Sequence, residues 1–138
     1  MKKHKELGNI EEWKVIAEKD WKRMKRSLRA VDAEAAGFFL QQSLEKYLKA
    51  FILKHGWNLR KIHELDTLLD DAAKCNPDLE NFRDLCERVS GYYFADRYPP
   101  IGVLDLTCED VKKDLKDVRK FIRTMFPNEK LDARKQQP

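Results

Sequence analysis

The sequence predicts an all-α protein, a five-helix, largely up-and-down antiparallel bundle. Apolar residues recur at three- and four-residue spacing through most of the 138 residues, the pattern of amphipathic helices. No stretch alternates with period two for long enough to make a strand. Only five Gly and five Pro punctuate the chain, which suits long helices joined by short turns. The length allows one domain with a sizeable core. Its expected parts are a flexible N-terminus over 1–9, the bundle over 10–126 and a disordered tail over 127–138.

Taken in order, the first helix runs from about Ile10 to Ala30, with Trp13, Ala17, Met24, Leu28 and Val31 on one line and Ile16 beside it. Asp20 falls on that line. A carboxylate on a buried stripe is costly without a partner, and Lys46 or Lys49 of the second helix is the expected one; a place at the stripe's wet edge is the other reading. Asp32 is the expected N-cap of the second helix, which continues to about His55, with Gly56 as the residue past its end. Leu40, Leu44, Tyr47, Leu48, Phe51 and Ile52 form its broad apolar face.

A neighbouring seam of this helix, Phe38, Gln42, Glu45, Lys49 and Ile52, is apolar at its ends and polar in its middle. Two readings follow. One is an i,i+4 ion pair between Glu45 and Lys49, worth a few tenths of a kcal/mol. The other is a groove or interface at which Gln42, Glu45 and Lys49 are presented to a ligand or partner.

A connector over 57–62 leads to a third helix opened by His63 or Asp66, with Leu65, Leu68, Leu69 and Ala72 inward and Asn76-Pro77 at its end. Asp78 is expected to cap a fourth helix carrying Leu79, Phe82, Leu85, Cys86, Val89 and Tyr92. Pro99, Pro100 and Gly102 then break the chain. Thr107 to Asp110, reading TCED, resembles a capping box. The fifth helix follows, with Val111, Leu115, Val118, Ile122 and Met125 inward and Lys112, Lys113, Lys116, Lys120 and Arg123 outward. After Pro127 the tail has nothing to bury.

The surface is mixed in sign, with 28 basic and 24 acidic residues for a net +4; this permits contact with nucleic acid without demanding it. Three cysteines, at 75, 86 and 108, show no ligand spacing and no disulfide framework. The N-terminus lacks the apolar run of a signal sequence, and no apolar run approaches a membrane span. These features point to a soluble, cytoplasmic protein that does not enter membranes.

Motifs for cofactor or metal chemistry are absent: there is no glycine-rich phosphate loop, HExxH, CxxC or Gly-x-Ser-x-Gly. No cofactor and no metal are expected. Cys86 lies on an apolar face and reads as a structural thiol. Tyr92, Tyr93, Phe94 and Tyr98 surround Arg97 in sequence and either stack a base or plug the bundle. His4 lies on a frayed end. His55 suits the negative end of the second helix. His63 is either a loop anchor or a general base.

Three features in order make a recognisable pattern: Gln42, Glu45, Lys46, Lys49 and Ala50 (QxxEKxxKA), an Ile-His-Glu-Leu junction at 62–65, and an aromatic-rich helix ending in Asp96-Arg97-Tyr98-Pro99. Together they resemble the HEPN domain family over roughly residues 10–126. The resemblance implies a helical bundle that is usually dimeric. Many such proteins are encoded beside a minimal nucleotidyltransferase, as toxin–antitoxin pairs or two-part enzymes. Others are metal-independent ribonucleases built around an Arg and a His about four to six residues apart, a proton carrier beside an anion grip. The matching positions here are Glu45, Lys46, Lys49, His63, Arg97, Tyr98 and Pro99.

No arginine of this chain has a histidine at the family's ribonuclease spacing; Arg60 and His63 are too close. The expectation is therefore a nucleotide-binding protein, dimeric and working with a nucleotidyltransferase partner, that is not catalytic by itself. Gln42, Glu45, Lys46, Lys49, His63, Arg97 and Tyr98 are its candidate site. Arg97 and Lys49 would meet anionic groups, Tyr98 would stack, and Glu45 would orient Lys49. The competing readings are a ribonuclease in which His63 replaces the missing histidine, and a non-catalytic assembly scaffold.

Overall fold

The computed structural model describes residues 8–56, 64–97 and 106–132, without the side chains of 94–97. Five α-helices and one 3-10 turn account for nearly all of them, and no strand occurs among the described residues. Helix α1 spans Ile10–Arg29 and α2 spans Ala33–Lys54; α3 covers Leu65–Cys75, α4 Arg83–Arg97 and α5 Cys108–Met125. Local chemistry sets these limits. Asn9 and Glu12 form a reciprocal capping box at the start of α1, with bonds of 2.9 and 3.0 Å. Thr107 and Asp110 do the same for α5 at 3.1 Å, and Asp32 accepts from the Ala35 N–H to open α2. Each box satisfies N–H groups that the helix itself leaves unpaired.

The turn between α1 and α2 is a Schellman motif. The Val31 N–H donates to the Leu28 carbonyl and the Asp32 N–H to the Ser27 carbonyl, at 3.0 and 2.9 Å. Val31 holds the left-handed position, φ 57°, with its side chain 78 % exposed. It does not continue the inward line of α1. At the end of α2 the same role falls to Gly56, φ 80°.

Helix α2 is the centre of the bundle and packs against all four other helices. Its expected apolar face is fully inside, and Ala36, Ser43 and Ala50 are buried as well. Gly37 permits the tightest approach. A Cβ there would stand 3.0 Å from the Tyr92 ring, so α4 seats that ring against bare helix backbone. Phe82, just before α4, stacks on Phe121 of α5 with ring centres 4.5 Å apart. The heptad seam of α5 is buried throughout.

Three expectations change. In α1, Trp21 is buried, whereas Ile16 is 41 % exposed. Asp78 does not cap a fourth helix: Asn76 accepts from the Asp78 N–H and starts a 3-10 turn over Pro77–Phe82, and α4 begins only at Arg83. Proline at the head of that stretch fixes the first turn without supplying an N–H. The segment after Pro127 does have something to bury as far as residue 132. Leu131 joins the core, while Glu129 and Asp132 bond to α1, α2 and α5.

Candidate functional site

Four of the seven candidate residues lie along two turns of α2. Helical geometry puts Gln42 with Lys46, and Glu45 with Lys49, one turn apart on the side facing α1. Glu45 and Lys49 are 2 % and 3 % exposed, and Lys49 Nζ stands 2.9 Å from Glu45 Oε2. Trp13 of α1 covers them, its ring 5.0 Å from the ammonium. A lysine placed this way is held by its neighbours, because baring it would strand a buried carboxylate.

From that dry end a continuous chain of side chains runs outward. Gln41 Nε2 donates to Glu45 Oε1 at 3.4 Å, and Gln42 Nε2 donates to Gln41 Oε1 at 2.7 Å. Lys46 Nζ donates to Gln42 Oε1 at 3.0 Å and to Asp20 Oδ2 at 3.3 Å. Arg23 completes it, donating to Asp20 Oδ1 at 2.9 Å. The buried-stripe reading of Asp20 therefore holds, with Lys46 as its partner and Asp20 itself 5 % exposed. Seven side chains take part, and three cations face two carboxylates. The surplus positive charge sits at the open end, where Arg23 and Lys46 share one aspartate. Polar groups in such a connected chain are mutually satisfied and hold one geometry.

The open end borders a shallow hollow of about 430 Å³ lined by Arg23, Arg26, Ser27, Ala30, Asp32 and Phe39, two cations against one carboxylate. The Arg23 guanidinium lies 5.9 Å from the Phe39 ring centre. Cations beside an aromatic face can hold a phosphate and a flat ring together.

A larger hollow of about 580 Å³ separates α4 from α5. Its centre is Asp114, which accepts from the Tyr92 hydroxyl at 2.7 Å and from Arg88 Nε at 3.1 Å. Burial and the Asp114 carboxylate push the Tyr92 phenol well above its ordinary range. With Asp110, Asp117 and Lys113 also lining it, three carboxylates outnumber two cations, and this hollow suits an anion poorly.

Cys86 is sealed in the core, and burial pushes its thiol up to about 12, as a structural thiol should be. Among the described residues no group of three His, Cys, Asp or Glu could hold a metal ion. None of the described helices is long and apolar enough to cross a membrane.

A family model described as the HEPN domain matches residues 10–130. This chain belongs to the HEPN domain family. Among solved structures, the HEPN bundle is similar to the crystal structure of TT1696 from Thermus thermophilus, with 22 % identity and a TM-score of 0.70. That match covers 86 % of this chain and 96 % of the other, and it bears on the fold. Among curated proteins, no match is found.

In this HEPN domain, Gln42, Glu45, Lys46 and Lys49 lie together on α2, but not as equals. Lys49 and Glu45 form the buried foot of the network, and Lys46 is the partly open cation. His63 and Tyr98 lie outside the described residues. Arg97 is the last residue of α4, and its side chain also lies outside them. Sequence reasoning missed Gln41 and Arg23. Gln41 lies one turn before Glu45, and Arg23 lies three residues after Asp20, so their spacing carried a usable signal.

Proposed function

We propose that this HEPN domain is a nucleotide-binding module that acts as a dimer with a minimal nucleotidyltransferase partner, and that the α1–α2 seam is where it meets phosphate. The observation that supports this is the surplus cation at the seam's open end: Lys46 and Arg23 share Asp20 beside a hollow floored by Phe39. A phosphate entering there would meet Arg26 and Arg23, the latter already held by Asp20, so part of the ordering cost is met before binding. Lys49, sealed against Trp13, acts through Glu45 and the amide pair to keep Lys46 in place. Arg97 would supply a further anion grip, in keeping with the family resemblance.

A thermal-shift panel of nucleoside mono-, di- and triphosphates tests the reading, since a ligand at a hundred times its Kd stabilises by about 2.7 kcal/mol. The expected result is a rise in Tm with at least one nucleotide, reduced in Lys46→Gln and in Arg97→Ala while helicity is unchanged. No shift with any nucleotide favours an assembly scaffold. Cleavage of RNA in EDTA that disappears in His63→Ala favours a ribonuclease.

A further inference from the structure

Residues 127–132 dock on the bundle through two carboxylates and one apolar side chain. Leu131 joins the core. Asp132 accepts from Lys25 Nζ of α1 at 2.9 Å, from Arg119 Nε of α5 at 2.5 Å and from Trp21 Nε1 at 3.4 Å. Glu129 accepts from the Tyr47 hydroxyl of α2 at 2.7 Å and from Lys14 Nζ of α1 at 2.9 Å. All of these partners are donors.

Glu18 is different. It lies one turn after Lys14 on α1, and its carboxyl also bonds Glu129. Two carboxyl groups share a hydrogen bond only with a proton between them. The Tyr47 hydroxyl and the Lys14 ammonium both donate to Glu129, which marks Glu129 as the ionised member and leaves the proton on Glu18. The titratable groups around Glu18 are Glu129 from the docked segment, Lys14 and Lys22 on its own helix, and Tyr47 from α2. Lys25 and Arg119 of α5 are engaged with Asp132. Burial and Glu129 outweigh the two lysines and raise the Glu18 carboxyl above its ordinary 4.5. Burial works against Glu129 itself, but Tyr47 and Lys14 hold its carboxyl below that value.

We infer that residues 127–132 form a proton-operated latch: docking takes one proton from solvent and holds it between Glu18 and Glu129, and the segment opens more often once that proton is lost. The proton balance sets the direction. With the segment released, Glu18 is an ordinary carboxyl and is ionised from mild acid upward. Docking then requires it to take up a proton, so docking weakens as pH rises from the ordinary carboxyl value through the raised one. Glu129 and Asp132 are ionised when docked, so docking also weakens in strong acid. The latch is tightest between these limits. At neutral pH it is looser, and Leu131 with the Asp132 ion pairs still holds the segment. The inference does not depend on the α1–α2 seam.

The test is amide hydrogen exchange of the full chain, followed by NMR from about pH 5 to about pH 8 and corrected for the intrinsic pH dependence of exchange. The Glu129 N–H donates to the Phe126 carbonyl at 3.0 Å and reports local opening. The Phe126 N–H donates to the Ile122 carbonyl at 2.7 Å and reports the end of α5 beneath. In the natural chain the opening constant at Glu129 should rise with pH, by up to about tenfold per unit over the range in which Glu18 titrates, while that at Phe126 stays nearly level. Glu18→Gln supplies a donor at every pH and should keep Glu129 at its low-pH opening constant throughout. Glu18→Ala removes the donor, and should open Glu129 more often already at about pH 5 with no further rise. A Glu129 opening constant that does not change with pH, one that still rises in Glu18→Gln, or an equal rise at Phe126 would overturn the inference.

Discussion

Replacing Val31 with glycine should make the protein more stable, although it removes an apolar side chain. The residue occupies the left-handed position of a Schellman turn, φ 57°, where a side chain meets backbone. That conformation costs an L-residue about 1–2 kcal/mol, and branching at Cβ worsens it. With 78 % of the residue exposed, truncation forfeits little burial. Glycine's extra freedom in the unfolded chain takes back about 0.5–1 kcal/mol, leaving a gain of about 0.5–1 kcal/mol. For a urea slope of about 2 kcal/mol per molar, the midpoint should rise by about 0.3–0.5 M with the slope unchanged. The converse change, Gly56→Ala, meets no atom within 4 Å of its new Cβ, so its loss of about 1 kcal/mol would be backbone strain alone. A midpoint for Val31→Gly equal to or below that of the natural chain would refute this reasoning.

Two further outcomes follow from the charged network and from the docked segment after Pro127. Glu45→Ala should cost about 3–5 kcal/mol by stranding Lys49 beneath Trp13, and Glu45→Leu with Lys49→Met should recover most of it; urea midpoints of the three proteins decide. Asp132 works against its own burial, but Arg119 and Lys25 hold its carboxyl at about 2, below the ordinary 3.8. A carboxyl lowered on folding contributes stability above its unfolded value and loses it as pH falls through the folded one. That difference corresponds to about 2.4 kcal/mol, which partial exposure reduces to about 1 kcal/mol. Asp132→Asn should therefore be about 1 kcal/mol less stable at pH 7, with the gap closing between pH 4 and pH 2. Glu18 runs the other way: burial and Glu129 raise its carboxyl, so its contribution is present at low pH and lost as pH rises.

What was legible in the sequence was local. Asp32 and the Thr107–Asp110 box announce helix starts because capping is a matter of residue type at fixed offsets. The partner of Asp20 was legible too, because a carboxylate on an apolar line requires one and Lys46 lay on the facing helix. The Val31 turn was hidden because glycine normally fills that position, and valine at helical spacing reads as one more inward residue. The docking of residues 128–132 was hidden for a different reason. Its partners are remote: Glu129 reaches Tyr47 across 82 positions, and Asp132 reaches Lys25 across 107. No periodicity in a short charged segment encodes that. At the site, helical spacing placed Glu45 beside Lys49, but only the docking of Trp13 makes the pair buried. Lys46 rather than Lys49 is left as the available cation.

The most direct test of the seam as a nucleotide site is amide chemical-shift mapping of the labelled protein with the nucleotide that gives the largest thermal shift. Perturbations should concentrate at Arg23, Ser27, Phe39, Gln42 and Lys46, and should vanish in Lys46→Gln. Perturbations confined to the α4–α5 hollow around Tyr92 and Asp114, or identical in Lys46→Gln, would contradict it.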